Sequence, residues 1–342
     1  MGGKRDGAAD LYVDLGTANT LVSGRGKGLL LNEPSIVAYS EPRPGRKKVV
    51  AVGTPAIEVL KKNPGNVHFT KPIRDGVIAD FELSQVMLKT FLQSPAVKKA
   101  FSRPRVVVSL PYGVTEVEKR AVVEACKSAG AREVFLIDEP MAAALGSGLP
   151  VKSPEGHMII DIGGGTTEVA VIALSDIVYC EALRVGGHKI DQDIIDYFKH
   201  VKKIILTEAL AETLKKDLGT ALPKKDIRTL QIQARDASTG LHRNYDITSE
   251  DVGLAMNDAL QQIVNAVHKA IEKTPPELVS DLIGNGVILA GGGALIKDLD
   301  LRLENEIRLQ VRVAADPLTA IARGGERVLE DESLLEKIQL EF

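Results

Sequence analysis

Ile159-Ile160-Asp161-Ile162-Gly163-Gly164-Gly165-Thr166-Thr167-Glu168 decides the fold of this 342-residue chain. It reads as a buried strand ending in a carboxylate, a glycine turn, and a return strand through Val169-Ala170-Val171-Ile172. Glycines let backbone N–H groups approach an anion closely, and two threonine hydroxyls add donors. Asp161 alone would repel a bare phosphate. A carboxylate beside a phosphate-shaped loop therefore implies a cation between them, most simply Mg²⁺ on a nucleotide.

That unit has an echo. Leu11-Tyr12-Val13-Asp14-Leu15-Gly16-Thr17-Ala18-Asn19-Thr20 repeats the strand, aspartate, glycine turn and threonine, and returns through Leu21-Val22. One Gly-rich hairpin is usually only a hairpin. Two in matching contexts imply two similar domains, each offering a phosphate hairpin to a shared cleft. A third motif, Val287-Ile288-Leu289-Ala290-Gly291-Gly292-Gly293, reads as strand, Gly-rich turn and helix, which suits close backbone approach to a nucleotide.

Bulk properties narrow the partners. The length supports two domains with real cores. An apolar content of 44% and a charged content of 26% are those of a soluble globular protein. A net charge of −3 and the lack of Trp give no reason to expect nucleic acid. Cys126 and Cys180 are too few for a disulfide framework and lack metal-ligand spacing, so they read as thiols of a reducing compartment. No apolar run reaches a membrane span of roughly 20 residues, and the start is no signal peptide. The expected location is the cytoplasm.

On its three glycine motifs the chain resembles the actin, sugar kinase and heat-shock chaperone ATPase superfamily, and more narrowly the MreB family of bacterial actins. The closer resemblance is carried by Asp14 through Thr20, Asn32-Glu33-Pro34-Ser35, Asp75-Gly76-Val77-Ile78-Ala79-Asp80, Glu139-Pro140-Met141-Ala142-Ala143-Ala144, Asp161 through Glu168, Thr274-Pro275-Pro276-Glu277-Leu278 and Gly291-Gly292-Gly293. It implies an α/β, actin-like fold of duplicated ribonuclease-H-like domains, with four subdomains around a nucleotide cleft. These would be subdomain IA (1–32, 72–150, 318–342), IB (33–71), IIA (151–185, 249–317) and IIB (186–248).

The resemblance also implies ATP or ADP with Mg²⁺. Asp14 and Asp161 would hold the metal mostly through its waters, since Mg²⁺ dehydrates reluctantly. Gly16, Thr17, Ala18, Asn19, Gly163, Gly164, Gly165, Thr166, Gly291, Gly292 and Gly293 would line the nucleotide. Glu139 would orient the attacking water, with the Thr167 hydroxyl assisting. Glu212 and Lys215, one turn apart on a helix, would contact ribose and adenine. On spacing alone they read as an exposed i,i+3 ion pair. Two departures from the family pattern are His188, where an acidic residue is usual, and Thr207, where glycine is usual.

The implied function is an ATP-dependent filament on the inner face of the cytoplasmic membrane. It would organise cell shape and wall elongation, with slow hydrolysis coupled to polymerisation. Its partners would be further copies in paired protofilaments, an anionic membrane surface and the elongation proteins of the inner membrane. The alternatives are a specialised paralogue, another bacterial actin, or a metabolite kinase of the same superfamily. Residues 94–105 mix a few apolar residues with basic ones. The plain reading is a helix end and a loop. The family reading lets Val97 and Phe101 dip into lipid while Lys98, Lys99 and Arg103 meet headgroups.

Elsewhere the pattern predicts helices over 56–62, 81–91, 116–129, 190–201 and 208–218, and a long helix after Thr248 with the apolar face Met256, Leu260, Ile263, Val267 and Ile271. Thr115, Thr207 and Thr248 serve as caps. A last helix opens near Pro317, and the Glu41–Lys48 stretch reads as a basic turn. His268 lies beside an apolar helix face and reads as structural.

Overall fold

Strands form where apolar, β-branched runs are bounded by glycine turns, and helices where a Thr or Asp cap precedes an apolar period of 3.6. The computed structural model describes residues 9–43, 45–62, 65–74, 76–101 and 103–341. The expected N-terminal tail, Pro44 of the basic turn, the Asn63-Pro64 helix stop, Asp75 and Ser102 lie outside the described residues. Everything below concerns the described residues. They fall into two compact units, one running up to 153 with 174–177 and the stretch from 319 onward, the other comprising 154–173 and 178–318.

The first unit begins with the antiparallel meander β1 (Leu11–Leu15), β2 (Asn19–Gly24) and β3 (Gly28–Pro34). A small layer follows: β4 (Val37–Arg43), β5 (Arg46–Val52), α1 (Thr54–Lys62) and β6 (His68–Thr70), with β4 in the middle. The basic stretch read as a turn is mostly strand, because β4 and β5 pair out to Arg43 and Arg46. The short hairpin β7 (Ile73–Arg74) and β8 (Val77–Ile78) leads to α2 (Phe81–Leu92), α3 (Pro95–Ala100), β9 (Arg105–Leu110), α4 (Glu116–Ala129), β10 (Glu133–Asp138) and α5 (Glu139–Gly146). The main sheet has the order β10-β9-β1-β2-β3, with β9 parallel to both its neighbours. Thr115 and Glu118 form the expected reciprocal capping box on α4, and Gly130 ends that helix in the left-handed region.

The second unit repeats this sheet. β11 (His157–Ile162), β12 (Thr167–Ala173) and β13 (Asp176–Leu183) form the meander. α6 (Gly187–Tyr197) opens at the glycine pair and ends in a π-helical turn, Phe198–Lys202, so the regular helix stops before 201. β14 (Ile204–Ile205), β15 (Thr229–Asp236) and β16 (His242–Thr248) form a small sheet around α7 (Glu208–Leu218). Then come α8 (Ser249–Lys273), α9 (Pro276–Asn285), β17 (Val287–Ala290), α10 (Leu299–Ile307) and β18 (Val311–Val313). The main sheet reads β13-β12-β11-β17-β18, with β11 antiparallel to β12 and parallel to β17. β1, β2, β3, β9 and β10 therefore match β11, β12, β13, β17 and β18 in order and pairing direction. The duplicated hairpins of the sequence are the visible part of a duplicated sheet.

Two more helices, α11 (Ala320–Glu330) and α12 (Glu332–Ile338), complete the first unit, so the helix expected to be last is followed by another. α11 crosses α5 at backbone contact. A Cβ on Gly146 would lie 1.7 Å from the Ala320 carbonyl oxygen, and one on Gly324 would lie 1.8 Å from that of Ala142. Only glycine fits such a crossing.

The 94–105 segment holds a short helix of its own, α3, where the plain reading expected a helix end and a loop. Val97 on α3 is 0% exposed and belongs to the first unit's core with Leu83, Met87 and Val106. Phe101 is half-buried against that core, with a ring carbon 2.9 Å from where a Gly24 Cβ would stand. This corrects the expectation that Val97 and Phe101 form a lipid-dipping tip: burying them in protein already removes their apolar surface from water. Lys98, Lys99 and Arg103 remain exposed. No helix among the described residues is long and apolar enough to cross a membrane. His268 is exposed on α8 and holds no core position. Cys126 is buried, and burial pushes its thiol up to about 12, the unreactive state.

Candidate nucleotide site

In the first unit the turn between β1 and β2 carries Gly16, Thr17, Ala18 and Asn19, with Asp14 buried one residue before the strand end. A Cβ on Gly16 would stand 2.6 Å from the Asn19 carbonyl oxygen, so the turn is closed to larger residues. Side chains brace it from outside. Ser35 Oγ donates to the Gly16 carbonyl at 2.7 Å and lies 2.9 Å from Thr20 Oγ1. Asn19 Nδ2 donates to Asn32 Oδ1 at 2.7 Å. Gly76 N donates to Thr17 Oγ1 at 3.0 Å. Gly76 sits at φ +73 against Pro111, where a Cβ would lie 2.0 Å from the ring. Asn32, Ser35 and Gly76 had been noted as motif residues without a role. Their role is to hold the first turn.

Glu139 opens α5 and is 6% exposed. It follows Asp138, which ends β10. Burial pushes the Asp138 carboxyl up to about 6, nearby Lys119 opposing and Asp176 adding to the rise. Proline at the first turn of α5 suits the fixed φ of that position.

In the second unit Asp161 lies one residue before the end of β11, opposite Glu168 on one side and Ala290, its last parallel partner, on the other. It is 4% exposed, and burial pushes its carboxyl up to about 7. Its Oδ1 has no hydrogen-bond partner. The turn Gly163 to Thr166 is closed by Gly163 N donating to the Thr166 carbonyl at 2.8 Å. Thr167 is 0% exposed, and its hydroxyl donates to the Val185 carbonyl at 2.6 Å. This corrects the expectation of an assisting catalytic hydroxyl: the Thr167 proton is committed inside the fold. Thr166, the neighbouring hydroxyl, is half-exposed.

The glycine motif after β17 packs directly on this hairpin. Gly291 has φ +76, and its Cβ would lie 2.4 Å from the Ile162 carbonyl oxygen and 2.8 Å from Asp161 Oδ1. A Cβ on Gly293 would lie 2.2 Å from Ile162 Cγ2. Gly292 has ordinary clearance, with Leu318 at 3.4 Å. The expected helix after the motif is one 3-10 turn, Gly292–Leu295, and α10 begins later.

Glu212 and Lys215 share α7 but do not pair with each other. Glu212 pairs with Lys216 at 2.7 Å in the open. Lys215 Nζ donates to Asp191 Oδ2 at 2.9 Å and to the Gly187 carbonyl at 3.0 Å. The simple i,i+3 pair is thus replaced by two other pairings. Thr207, at the family's usual glycine, caps α7 by accepting from Leu210 N at 3.3 Å. His188 joins the hairpin through its backbone, His188 N donating to the Gly164 carbonyl at 2.8 Å. Asp191 was missed. It lies 24 residues from Lys215, and local spacing gives no sign of it.

The residues fit a hydrated divalent cation. A buried carboxylate oxygen without a partner calls for a donor, which a metal-bound water supplies. No cluster of three or more His, Cys, Asp or Glu side chains stands together among the described residues. A cation here would therefore be held by few carboxylates, as Mg²⁺ is beside nucleotide phosphates.

Two sheets of one topology, each ending a central strand in an aspartate and a glycine turn, define an actin-like protein. The chain belongs to the MreB/Mbl family, whose model matches residues 8–337. It is 47% identical over 324 residues to the cell shape-determining protein MreB of Escherichia coli strain K12, covering 94% of this chain and 93% of that protein. It is 40% identical over 333 residues to the cell shape-determining protein Mbl of Bacillus subtilis, covering 97% and 99%. Among solved structures it resembles MreB5 of Spiroplasma citri bound to AMPPNP, with a TM-score of 0.87, 35% identity and coverage of 94% and 95%. The ADP-bound form of that protein matches with a TM-score of 0.88 at 34% identity, covering 97% and 98%.

Proposed function

We propose that this chain is an ATP-dependent, filament-forming actin that assembles on the inner face of the cytoplasmic membrane and organises cell shape and wall elongation. The observation that carries the nucleotide reading is the pair of braced glycine hairpins, with an orphaned buried oxygen on Asp161. The Spiroplasma relative is described bound to AMPPNP and to ADP, which supports the same ligand here. The relatives named cell shape-determining support the cellular role. The proposed partners are further copies of the chain, an anionic membrane surface and the elongation proteins of the inner membrane.

On this reading the glycine hairpins bind nucleotide phosphates. Backbone N–H groups of Gly16 to Asn19 and of Gly164 to Thr167 bind phosphate oxygens. The glycines at 291–293 shape the back of the second turn. Asp14 and Asp161 hold Mg²⁺ through its waters, and the ion supplies charge neutralisation. Glu139, buried at the start of α5, accepts a hydrogen bond from the attacking water and orients it. Thr166 takes the place of Thr167 as the hydroxyl nearest the phosphates. The boundaries of IA, IB, IIA and IIB given above stand as part of this proposal. Membrane contact is led by charge, through exposed Lys98, Lys99 and Arg103, with lipid insertion of Val97 set aside. Avidity comes from the polymer.

The test is electron microscopy and pelleting of purified protein with ATP and Mg²⁺, with and without anionic liposomes. Filaments that decorate liposomes, and leave them at high salt, are expected. Monodisperse particles in every condition would sink the filament reading. For the chemistry, Glu139→Ala should keep nucleotide binding and slow phosphate release by about a hundred-fold. Phosphate release at the wild-type rate would remove Glu139 from the reaction.

A further inference from the structure

Lys215 and Asp191 lie beside the second hairpin, and their geometry gives them a task other than touching ribose or base. Asp191 is 8% exposed, and both its oxygens lie 2.9 Å from Lys215 Nζ. The same ammonium donates to the Gly187 carbonyl at 3.0 Å. Gly187 and Asp191 are one helical turn apart at the start of α6. Lys215 therefore staples the first turn of α6 from the side of α7.

That first turn is what touches the hairpin. Gly187 N donates to the Gly163 carbonyl at 3.0 Å, and His188 N donates to the Gly164 carbonyl at 2.8 Å. Thr167 Oγ1 donates to the Val185 carbonyl at 2.6 Å, tying the same segment to β12. Gly186 lies flat against the turn, where a Cβ would stand 2.7 Å from the Gly163 carbonyl oxygen. A peptide group is planar and trans, so its C=O and the following N–H point in opposite directions. With the Gly163 and Gly164 carbonyls drawn back onto α6, the N–H groups of Gly164 and Gly165 point away from α6. These are the donors a phosphate would use.

We propose that Asp191 and Lys215 are a positioning pair that sets the direction of the Gly164 and Gly165 N–H groups through the first turn of α6. The proposal rests on the nucleotide reading above. A buried ion pair adds little net stability. Its effect here is to hold one ammonium on one carbonyl. Burial raises the Asp191 carboxyl while Lys215 lowers it, in keeping with a pair that is short of water.

The experiment compares two ligands in Asp191→Asn, Lys215→Met and Lys215→Arg. AMPPNP with Mg²⁺ reports the phosphate contacts, and adenosine reports sugar and base. Asp191→Asn and Lys215→Met should lose AMPPNP affinity by about ten-fold, with adenosine affinity changed less than about two-fold and Lys215→Arg partly restored. Equal losses for both ligands would make Lys215 a sugar or base contact and overturn the proposal. Wild-type affinity for AMPPNP in Asp191→Asn would overturn it as well. Failure of the nucleotide reading looks different: the wild type itself would bind neither ligand. Should Lys215→Met not fold, amide exchange in nucleotide-free Asp191→Asn carries the test. Faster exchange at Gly164 and Gly165 supports the pair, and unchanged exchange refutes it.

Discussion

The turn after β1 is braced mainly by side chains, with one backbone bond from Ser35 N to the Ala18 carbonyl at 2.9 Å, and the turn after β11 is held mainly by backbone. Ser35 and Asn32 reach the first turn from the end of β3 and just past it, Ser35 also meeting Thr20, and Thr17 within the turn accepts from Gly76 N. The second turn is clasped by the N–H groups of Gly187 and His188 and backed by Gly291 and Gly293. The two sequence motifs look alike because each closes the central hairpin of a duplicated sheet. Their supports differ because each unit inserts different elements beside the same sheet. Side-chain braces can be removed one at a time. A backbone clasp fails only when the chain itself is displaced.

The largest effect should come from Gly291→Ala. The new Cβ meets the Ile162 carbonyl oxygen at 2.4 Å in a left-handed conformation. A loss of about 3–4 kcal/mol is expected in denaturant unfolding of the second unit. A loss under about 1 kcal/mol would mean that the backing of the second turn yields easily, and the contrast between the turns would weaken.

Next is a pH effect at the strand end of the first unit. Asp138 titrates near 6 in the folded protein, above its ordinary 3.8. The folded state therefore binds the extra proton between those values, and stability falls as pH rises from about 4 to about 6. Asp138→Asn should remove its share of that fall, leaving the share of Asp161, and stabilise the protein at pH 8 by at most about 3 kcal/mol. Thermal melts of both proteins across pH 4–8 check this. Parallel curves would mean that the burial of Asp138 carries no such cost.

Ser35→Ala should remove one brace, costing about 1–2 kcal/mol and lowering AMPPNP affinity several-fold. Isothermal titration gives the affinity. An unchanged value would show that the first turn stands without its side chains. The smallest effect belongs to Gly163, which opens the second turn, and its counterpart Gly16 sharpens the comparison. Gly163→Ala, with its nearest neighbour at 3.4 Å, should cost less than about 1 kcal/mol, and Gly16→Ala, with its neighbour at 2.6 Å, should cost more. The reverse order in chemical denaturation would break the comparison.

Much of this was legible in the sequence. The strand–aspartate–glycine pattern located both hairpins. The capping threonines at 115, 207 and 248 each open a helix. What was misread shares one cause. Val97 and Phe101 looked like a membrane tip because spacing does not say what stands behind an apolar residue. The Thr167 hydroxyl was expected to assist hydrolysis because its direction depends on Val185, which follows β13. The end of α6 was set too late because a π-helical turn gives no clear apolar period.

The sequence by itself determined the duplicated sheet, the two glycine turns and the family, because alternation, glycine spacing and caps act over a few residues. Tertiary structure alone decided how the turns are held. Lys215 passes over Glu212, three residues away, and pairs with Asp191, 24 residues away, because α6 and α7 bury that pair together. Side-chain partners are chosen by distance in space and by loss of water, and neither is written in the local order of residues.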